Sequence, residues 1–244
     1  MGAGSKTRLR KMRGGESEKE KMEIEIKLRV ADRREVLRLL ARLGAELISA
    51  RVHEMNTLYD TADGDLTRQG RMLRVRVERP AGRRKRARKK EQRFRGESSG
   101  FSAVLTFKGP AALAAGKTKK APAYKIREER EVRISDEKEA GRIIERLGFQ
   151  PCFRYEKFRT TYRLPGMKNL KVEIDETPIG LFLELEGPRG QIDRAAARLG
   201  FGRGEYISKS YGVLFMEERG MGREKSRDGE PSSFSRWPDM VFRS

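Results

Sequence analysis

The chain has 244 residues, of which 36% are hydrophobic and 38% charged, and its formal net charge is +20. That length suits one large domain or two small ones, the sparse apolar content places long segments outside any core, and the charge favours polyanionic partners. A single cysteine, Cys152, excludes an internal disulfide, and the lack of a long apolar run excludes a helical membrane span.

Residues 1–21 carry Gly, Lys, Arg and Glu without an apolar period and are expected to be disordered. They hold no signal-peptide core, which together with the lone cysteine predicts a cytoplasmic protein. Gly2 opens a myristoylation-like sequence, but Lys6 stands where Ser or Thr is needed. Gly4-Ser5-Lys6-Thr7 imitates the end of a phosphate-binding loop without its preceding strand.

From Met22 to Leu28 apolar and charged residues alternate, which predicts a strand with one apolar and one ionic face. Glu23, Glu25 and Lys27 then project from one surface, each about 7 Å from the next. Neighbouring carboxylates repel unless a cation sits between them, and a divalent metal is the usual solution; the plain alternative is a solvated face. Asp32 is placed to cap a helix through Val36, Leu37, Leu39, Leu40 and Leu43, stopped at Gly44. Glu54–Tyr59 is read as a strand and Asp60–Gly64 as a turn, with His53 a surface or turn residue just before that strand. Leu73–Val77 alternates again, with Arg74 and Arg76 on one face, and ends by Pro80 and Gly82.

Residues 80–100 form a basic insertion, densest over 83–95, which self-repels and is expected to be a mobile loop. Its phosphate affinity would allow weak, nonspecific contact with nucleic acid or another polyanion; the plain reading is a solvated insertion. Ala103–Lys108 is a strand closed by Gly109-Pro110. Gly116-Lys117-Thr118 follows Gly109 at the wrong spacing for a phosphate-binding loop. Over Lys125–Ile134, Arg127, Glu129 and Glu131 share one side, but the other side is also partly charged, so the pattern leaves the inward face open.

Ser135 or Asp136 caps a second helix with Ile143, Ile144 and Leu147 as its apolar stripe. Tyr155–Tyr162 carries Lys157 and Arg159 on one face, Leu170–Ile174 leads to Asp175, and Leu181–Leu185 carries Glu184 with Glu186 following. Ile192–Leu199 is a third short helix, and Ser208–Tyr211 opens a closing helix through Leu214, Phe215 and Met216. Residues 218–244 are read as a disordered tail containing Trp237. Cys152 is expected to be half-buried and inert, and Tyr211 to be a packing residue.

Roughly eight strands thus place charges at period two, acids on the first and a late strand, bases on those between. A closed antiparallel sheet would aim both sets into one lumen, suited to a ligand with several negative charges and its own divalent cations. Glu23-Ile-Glu25-Ile-Lys27 resembles the ExExK signature of the CYTH superfamily, the triphosphate tunnel metalloenzymes. The resemblance spans residues 22–217, read as one domain, through Leu73-Arg74-Val75-Arg76, Thr106–Pro110, Arg127–Glu131, Lys157-Phe158-Arg159, Asp175, Gly180–Glu186 and Lys209-Ser210-Tyr211. The Lys-Gly-Pro and Arg-Glu-Glu stretches are most similar to the class IV adenylate cyclase branch.

The resemblance implies an α+β fold, an eight-stranded antiparallel β-tunnel flanked by helices. It implies Mg²⁺ or Mn²⁺ held by Glu23, Glu25, Glu184 and Glu186, with Asp175 a further ligand or an orienting group. Lys27, Arg74, Arg76, Lys108, Arg127, Arg159 and Lys209 would bind phosphates, and Glu129 and Glu131 would line the tunnel. Lys157 would handle protons if neighbouring cations depress its pKa. Two reactions follow from the likeness: cyclisation of ATP to cyclic AMP and pyrophosphate, or hydrolysis of inorganic or thiamine triphosphate. A non-catalytic polyphosphate-binding module is the remaining alternative, and a dimer is compatible with all three.

Overall fold

Strand parity decides which residues face the centre of this protein. The computed structural model describes residues 22–81, 102–111, 124–220 and 238–242. Within them, eight strands close into one antiparallel barrel: β1 (Met22–Val30), β2 (Glu46–Asp60), β3 (Met72–Pro80), β4 (Ser102–Lys108), β5 (Lys125–Ile134), β6 (Gln150–Arg163), β7 (Lys171–Thr177) and β8 (Gly180–Glu186). Their order around the barrel is β1-β5-β4-β3-β2-β6-β7-β8. The α+β tunnel expected from the sequence is therefore the observed architecture.

The charges point inward because helices claim the apolar face. Helix α1 (Arg33–Arg42) and helix α4 (Arg189–Arg198) lie outside the barrel, α2 (Asp65–Arg68) joins β2 to β3, and α3 (Glu137–Arg146) follows β5. Val36 and Leu40 of α1, with Ile192, Ala195, Ala196 and Leu199 of and just after α4, form one cluster. It includes Ile26 and Leu28 of β1, Val172 and Ile174 of β7, and Leu183 and Leu185 of β8. These strand residues alternate with Glu25, Lys27, Glu173, Asp175 and Glu184, so covering one parity with helices turns the other toward the lumen. Asp32 caps α1 by accepting the Arg34 N–H at 2.8 Å, and Gly44 ends it with a positive φ of 69°.

Register fixes which side chains meet. Lys27 lies opposite Glu184 and Glu25 opposite Glu186 in the β1–β8 pair, while Glu23 faces Arg127 and Glu25 faces Lys125 in the β1–β5 pair. Gly187 holds the end of β8 in place: a Cβ there would lie 2.4 Å from the Asn169 carbonyl oxygen, at a φ of 153°. Among the described residues, no helix is long and apolar enough to cross a membrane.

Several local expectations change. His53 lies within β2 rather than before it, with Nε2 3.1 Å from Glu156 and its ring stacked on Phe158. Of the apolar stripe on α3 only Ile144 is buried, alongside Gly141, whereas Ile143 and Leu147 are 55% and 70% exposed, because the helix touches the barrel along a narrower line than its apolar stripe suggested. The tail is docked where it is described: Pro238–Phe242 lies along β6, with Met240 buried. The basic block 83–95, the segment 1–21 and Trp237 lie outside the described residues.

Candidate functional site

The inward side chains surround a cavity of about 960 Å³. Every residue that the sequence assigned to the tunnel lines it except Asp175 and Lys209. At its acidic end Glu23, Glu25 and Glu184 are each under 8% exposed. Lys27 donates to Glu25 Oε1 at 2.9 Å and lies 3.6 Å from Glu184 Oε2, and Lys125 donates to the same Glu25 oxygen at 2.8 Å. Lys108 bridges Glu23 at 2.5 Å and Glu129 at 3.1 Å.

Burial raises the Glu184 carboxyl to about 8, with the Glu25 charge adding to it against Lys27 and Arg159. Burial also opposes ionisation of Glu25, but Lys125, Lys27 and Lys108 outweigh it, and a hydrogen bond from Glu184 helps hold Glu25 well below the usual carboxylate range. Lys27 is likewise disfavoured as a cation by burial, yet Glu184 and Glu25 raise it above an ordinary lysine. Two carboxyl groups thus share a buried hydrogen bond, and one of them ionises only with difficulty.

Such a pair fits a divalent cation. Mg²⁺ and Mn²⁺ favour carboxylate oxygens, and an ion between Glu25 and Glu184 would relieve their mutual repulsion. Among the described residues no three carboxylates are already gathered around a common point, since lysines fill the intervening space. An ion placed between Glu25 and Glu184 would have to draw Glu25 away from Lys27 or Lys125.

The opposite wall is cationic. Arg74 donates from Nη1 to the Tyr155 hydroxyl and from Nη2 to Thr106 Oγ1, both at 3.2 Å. Arg76 lies 3.0 Å from Glu78 and 3.5 Å from Glu131. Thr106 in turn donates to Glu131 at 2.9 Å. Arg127, on β5 beside Glu23, also lines the cavity; its Nε has no hydrogen-bond partner among the described residues, and burial lowers its pKa. In a lumen held by fixed charges of this kind, phosphate oxygens would replace carboxylates at several guanidinium groups.

Asp175 lies beneath this surface at 0% exposure. It receives Lys157 Nζ at 2.9 Å, Arg159 Nε at 2.7 Å, Arg159 Nη2 at 2.6 Å and the Tyr211 hydroxyl at 2.8 Å. Burial opposes its charge, but Arg159 and Lys157 hold its pKa far below the carboxylate range. Its four contacts make it an orienting group for cations; no oxygen is left facing the cavity. The ring of Tyr211 sits between two ammonium groups, Lys27 at 5.1 Å and Lys157 at 5.3 Å from its centroid, and its hydroxyl oxygen is 3.2 Å from Glu184. The residue read as simple packing is thus part of the lumen wall.

Two further expectations are corrected. Burial and Arg159 work to lower the Lys157 pKa, but Asp175, Glu54 and Glu184 prevail and raise it, so the premise of a depressed proton shuttle fails. The depressed lysine is Lys125, which burial lowers to about 8 against the pull of Glu25. Lys209 is exposed and donates to both Glu217 oxygens, at 2.7 and 2.9 Å; it precedes helix α5 (Tyr211–Glu218), outside any strand whose parity could turn it inward. Glu186 lines the rim, half-buried and bonded to Lys171 at 2.9 Å.

Sequence reasoning missed Glu54, Glu173 and Lys125. Glu54 is 1% exposed and lies 3.4 Å from Lys157 and 3.7 Å from Arg159, while Glu173 meets Arg159 at 2.5 Å. Two of them share parity with a neighbour already assigned to the lumen, Glu173 with Asp175 and Lys125 with Arg127, so extending those alternations by one step would have found both.

Residues 21–211 match the family model described as CYTH domain. A relative from Methanocaldococcus jannaschii, provisionally named adenylate cyclase, is 28% identical over 166 residues, covering 68% of this chain and 76% of that protein. A Vibrio parahaemolyticus structure, also provisionally described as an adenylate cyclase, superposes with a TM-score of 0.61 at 18% identity, covering 81% of this chain and 99% of that one. A provisional adenylyl cyclase from Hippeastrum, described as revealing a dominant triphosphatase activity, gives a TM-score of 0.50 at 20% identity, covering 81% and 96%. These structural likenesses bear on the fold.

Proposed function

Because the chain belongs to the CYTH domain family, we propose that it is a metal-dependent enzyme that converts ATP into cyclic AMP and pyrophosphate inside its tunnel. The observation that carries this reading is the meeting of Glu23, Glu25 and Glu184 with Lys27, Lys108, Arg74, Arg76 and Arg127 around one cavity. A triphosphate with its counter-cation is the ligand whose charges match both halves of that wall. The cavity, about 960 Å³, is generous for inorganic triphosphate alone, and its lining continues into neutral and apolar groups at Leu58, Cys152 and Phe153. That continuation supports a substrate with an uncharged half, such as a nucleoside.

In this reading Glu25 and Glu184, with Glu23 beside them, hold Mg²⁺ or Mn²⁺. When bound, such an ion supplies Lewis-acid charge neutralisation at phosphate oxygens. Arg74, Arg76, Arg127 and Lys108 grip the β- and γ-phosphates and stabilise the charge that builds on departing pyrophosphate. Asp175, Glu54 and Glu173 keep Lys157 and Arg159 in place beneath them. The ribose 3′-oxygen attacks the α-phosphorus, its proton passes to water, and the bond to the pyrophosphate oxygen breaks. Positioning and charge neutralisation provide most of the acceleration in such transfers, so the same cradle would serve hydrolysis of a terminal phosphate.

The test offers ATP, inorganic triphosphate and thiamine triphosphate in parallel with Mg²⁺ or Mn²⁺. Cyclic AMP as the main product supports the proposal, whereas phosphate released from the other two selects hydrolysis instead. Glu25→Gln is expected to reduce either activity by about 100-fold or more with an unchanged circular dichroism spectrum. An unaffected turnover number would remove Glu25 from the metal site, and nucleotide binding without any turnover would mark a sensing module.

A further inference from the structure

The barrel closes, but one of its strands is paired along only part of one edge. Strand β6 pairs with β2 over its whole length, from Gln150 to Arg163. Its other edge meets β7 only from Phe158 to Tyr162, because the β7–β8 hairpin turns at Thr177–Gly180. Residues 150–157 would leave backbone groups unpaired along that edge, and an open strand edge is a pairing site.

The C-terminal segment 238–242 occupies it. Met240 N–H donates to the Arg154 carbonyl at 2.8 Å, and Glu156 N–H donates to the Met240 carbonyl at 2.9 Å. Asp239 Oδ1 accepts the Arg154 N–H at 3.1 Å. The segment runs parallel to β6, with Met240 opposite Tyr155. Phe242 packs on Phe158 with ring centroids 5.0 Å apart. Met240 is 1% exposed, in a cluster with Phe153, Tyr155, Phe182, Tyr211, Leu214 and Phe215.

Both tyrosines in that cluster reach into the lumen. Tyr155, clamped between the two Met240 backbone bonds, accepts from Arg74, and Tyr211 donates to Asp175. We propose that segment 238–242 is a positioning strap: by completing the β6 edge and filling the seam with Met240, it fixes Tyr155 and through it Arg74, and Tyr211 and through it the Asp175 network. The strap is held by one buried side chain, three backbone-mediated bonds and one ring contact, and it is joined to α5 by residues 221–237. A contact of this size is displaceable without unfolding the barrel, so occupancy of the edge sets the competence of the site.

The proposal is tested in the full-length chain with Met240→Asp and the conservative Met240→Leu, assayed well below each variant's melting temperature. One arm is hydrogen exchange without substrate, which holds whatever the enzyme's reaction proves to be. Met240→Asp is expected to speed exchange at least tenfold in residues 150–157 and 211–218 while leaving β7 and β8 protected, and Met240→Leu to leave all of them unchanged. The second arm rests on the proposed function and uses whichever triphosphate is turned over. Loss of the strap should raise KM at least fivefold through Arg74 and lower kcat, and an added peptide of residues 231–244 should reverse both. A mere loss of folded enzyme would lower kcat with KM unchanged, and that result overturns the positioning role. Unchanged exchange in 150–157 and 211–218 overturns the proposal outright. Should Met240→Asp fail to fold, Asp239→Ala with Phe242→Ala loosens the strap from outside the core and is judged by the same criteria.

Discussion

Replacing Asp175 by Asn separates an orienting carboxylate from a metal ligand. The substitution keeps the side-chain shape but removes the charge that answers Lys157 and Arg159 at 0% exposure, and it turns one oxygen that accepted Lys157 and Tyr211 into an NH₂ donor. Breaking a buried pair from one side typically costs about 3–5 kcal/mol, because the remaining charge is stranded. Glu54, Glu173 and Glu184 lie 2.5–3.7 Å from the same cations and absorb part of the loss, which favours the lower end, about 3 kcal/mol. For a domain of this size that corresponds to a fall in Tm of roughly 6–12 °C. Differential scanning calorimetry with EDTA and again with excess Mg²⁺ is the assay. The same fall is expected in both, since Asp175 directs its oxygens to Lys157, Arg159 and Tyr211. A Tm change under about 2 °C, or one that appears only with Mg²⁺, would refute the reasoning.

Lys209→Ala should leave kcat and KM within about twofold of the parent, because the ammonium is exposed and engaged with Glu217 rather than with the cavity; a tenfold loss would restore Lys209 to the phosphate site. Burial, with the Asp60 charge, raises the Cys152 thiol to about 11. The thiol therefore holds its proton more tightly folded than unfolded, and the stability it contributes is intact below the ordinary cysteine range and lost as pH rises through about 11. At pH 8 alkylation by iodoacetamide should run roughly 100-fold slower than for a free cysteine and accelerate with each added pH unit, and a rate matching the free thiol would contradict this.

The lumen was legible where an outer apolar face gave the alternation a partner. On β1 and β8, Ile26, Leu28, Leu183 and Leu185 pack under helices, so the intervening Glu25, Lys27 and Glu184 had one direction left. On β5 the outer face is largely solvent-exposed, with Val132 at 55%, so no binary pattern was needed and none was written. Glu54 was hidden for another reason: its strand alternates Glu54, Asn56 and Leu58 inward, a mixed set with no charge repeat. Tyr211 and Met240 act from outside the strand grammar, one from a helix start and one from a five-residue segment, and tertiary contact alone gives them their roles. The Lys157 pKa depended on how many carboxylates surround it, a number that only assembly reveals.

Lys27 and Glu184 face each other across the β1–β8 pair although well over half the chain separates them. β1 is also the strand that joins β8 to β5, so the ring cannot shut until the eighth strand has been made and has found the first. A ribosome-bound or truncated chain lacking β8 would carry the opening acids of β1 without Glu184, their counterpart across the seam. Closure of the ring and assembly of its acidic end are, in this topology, a single event.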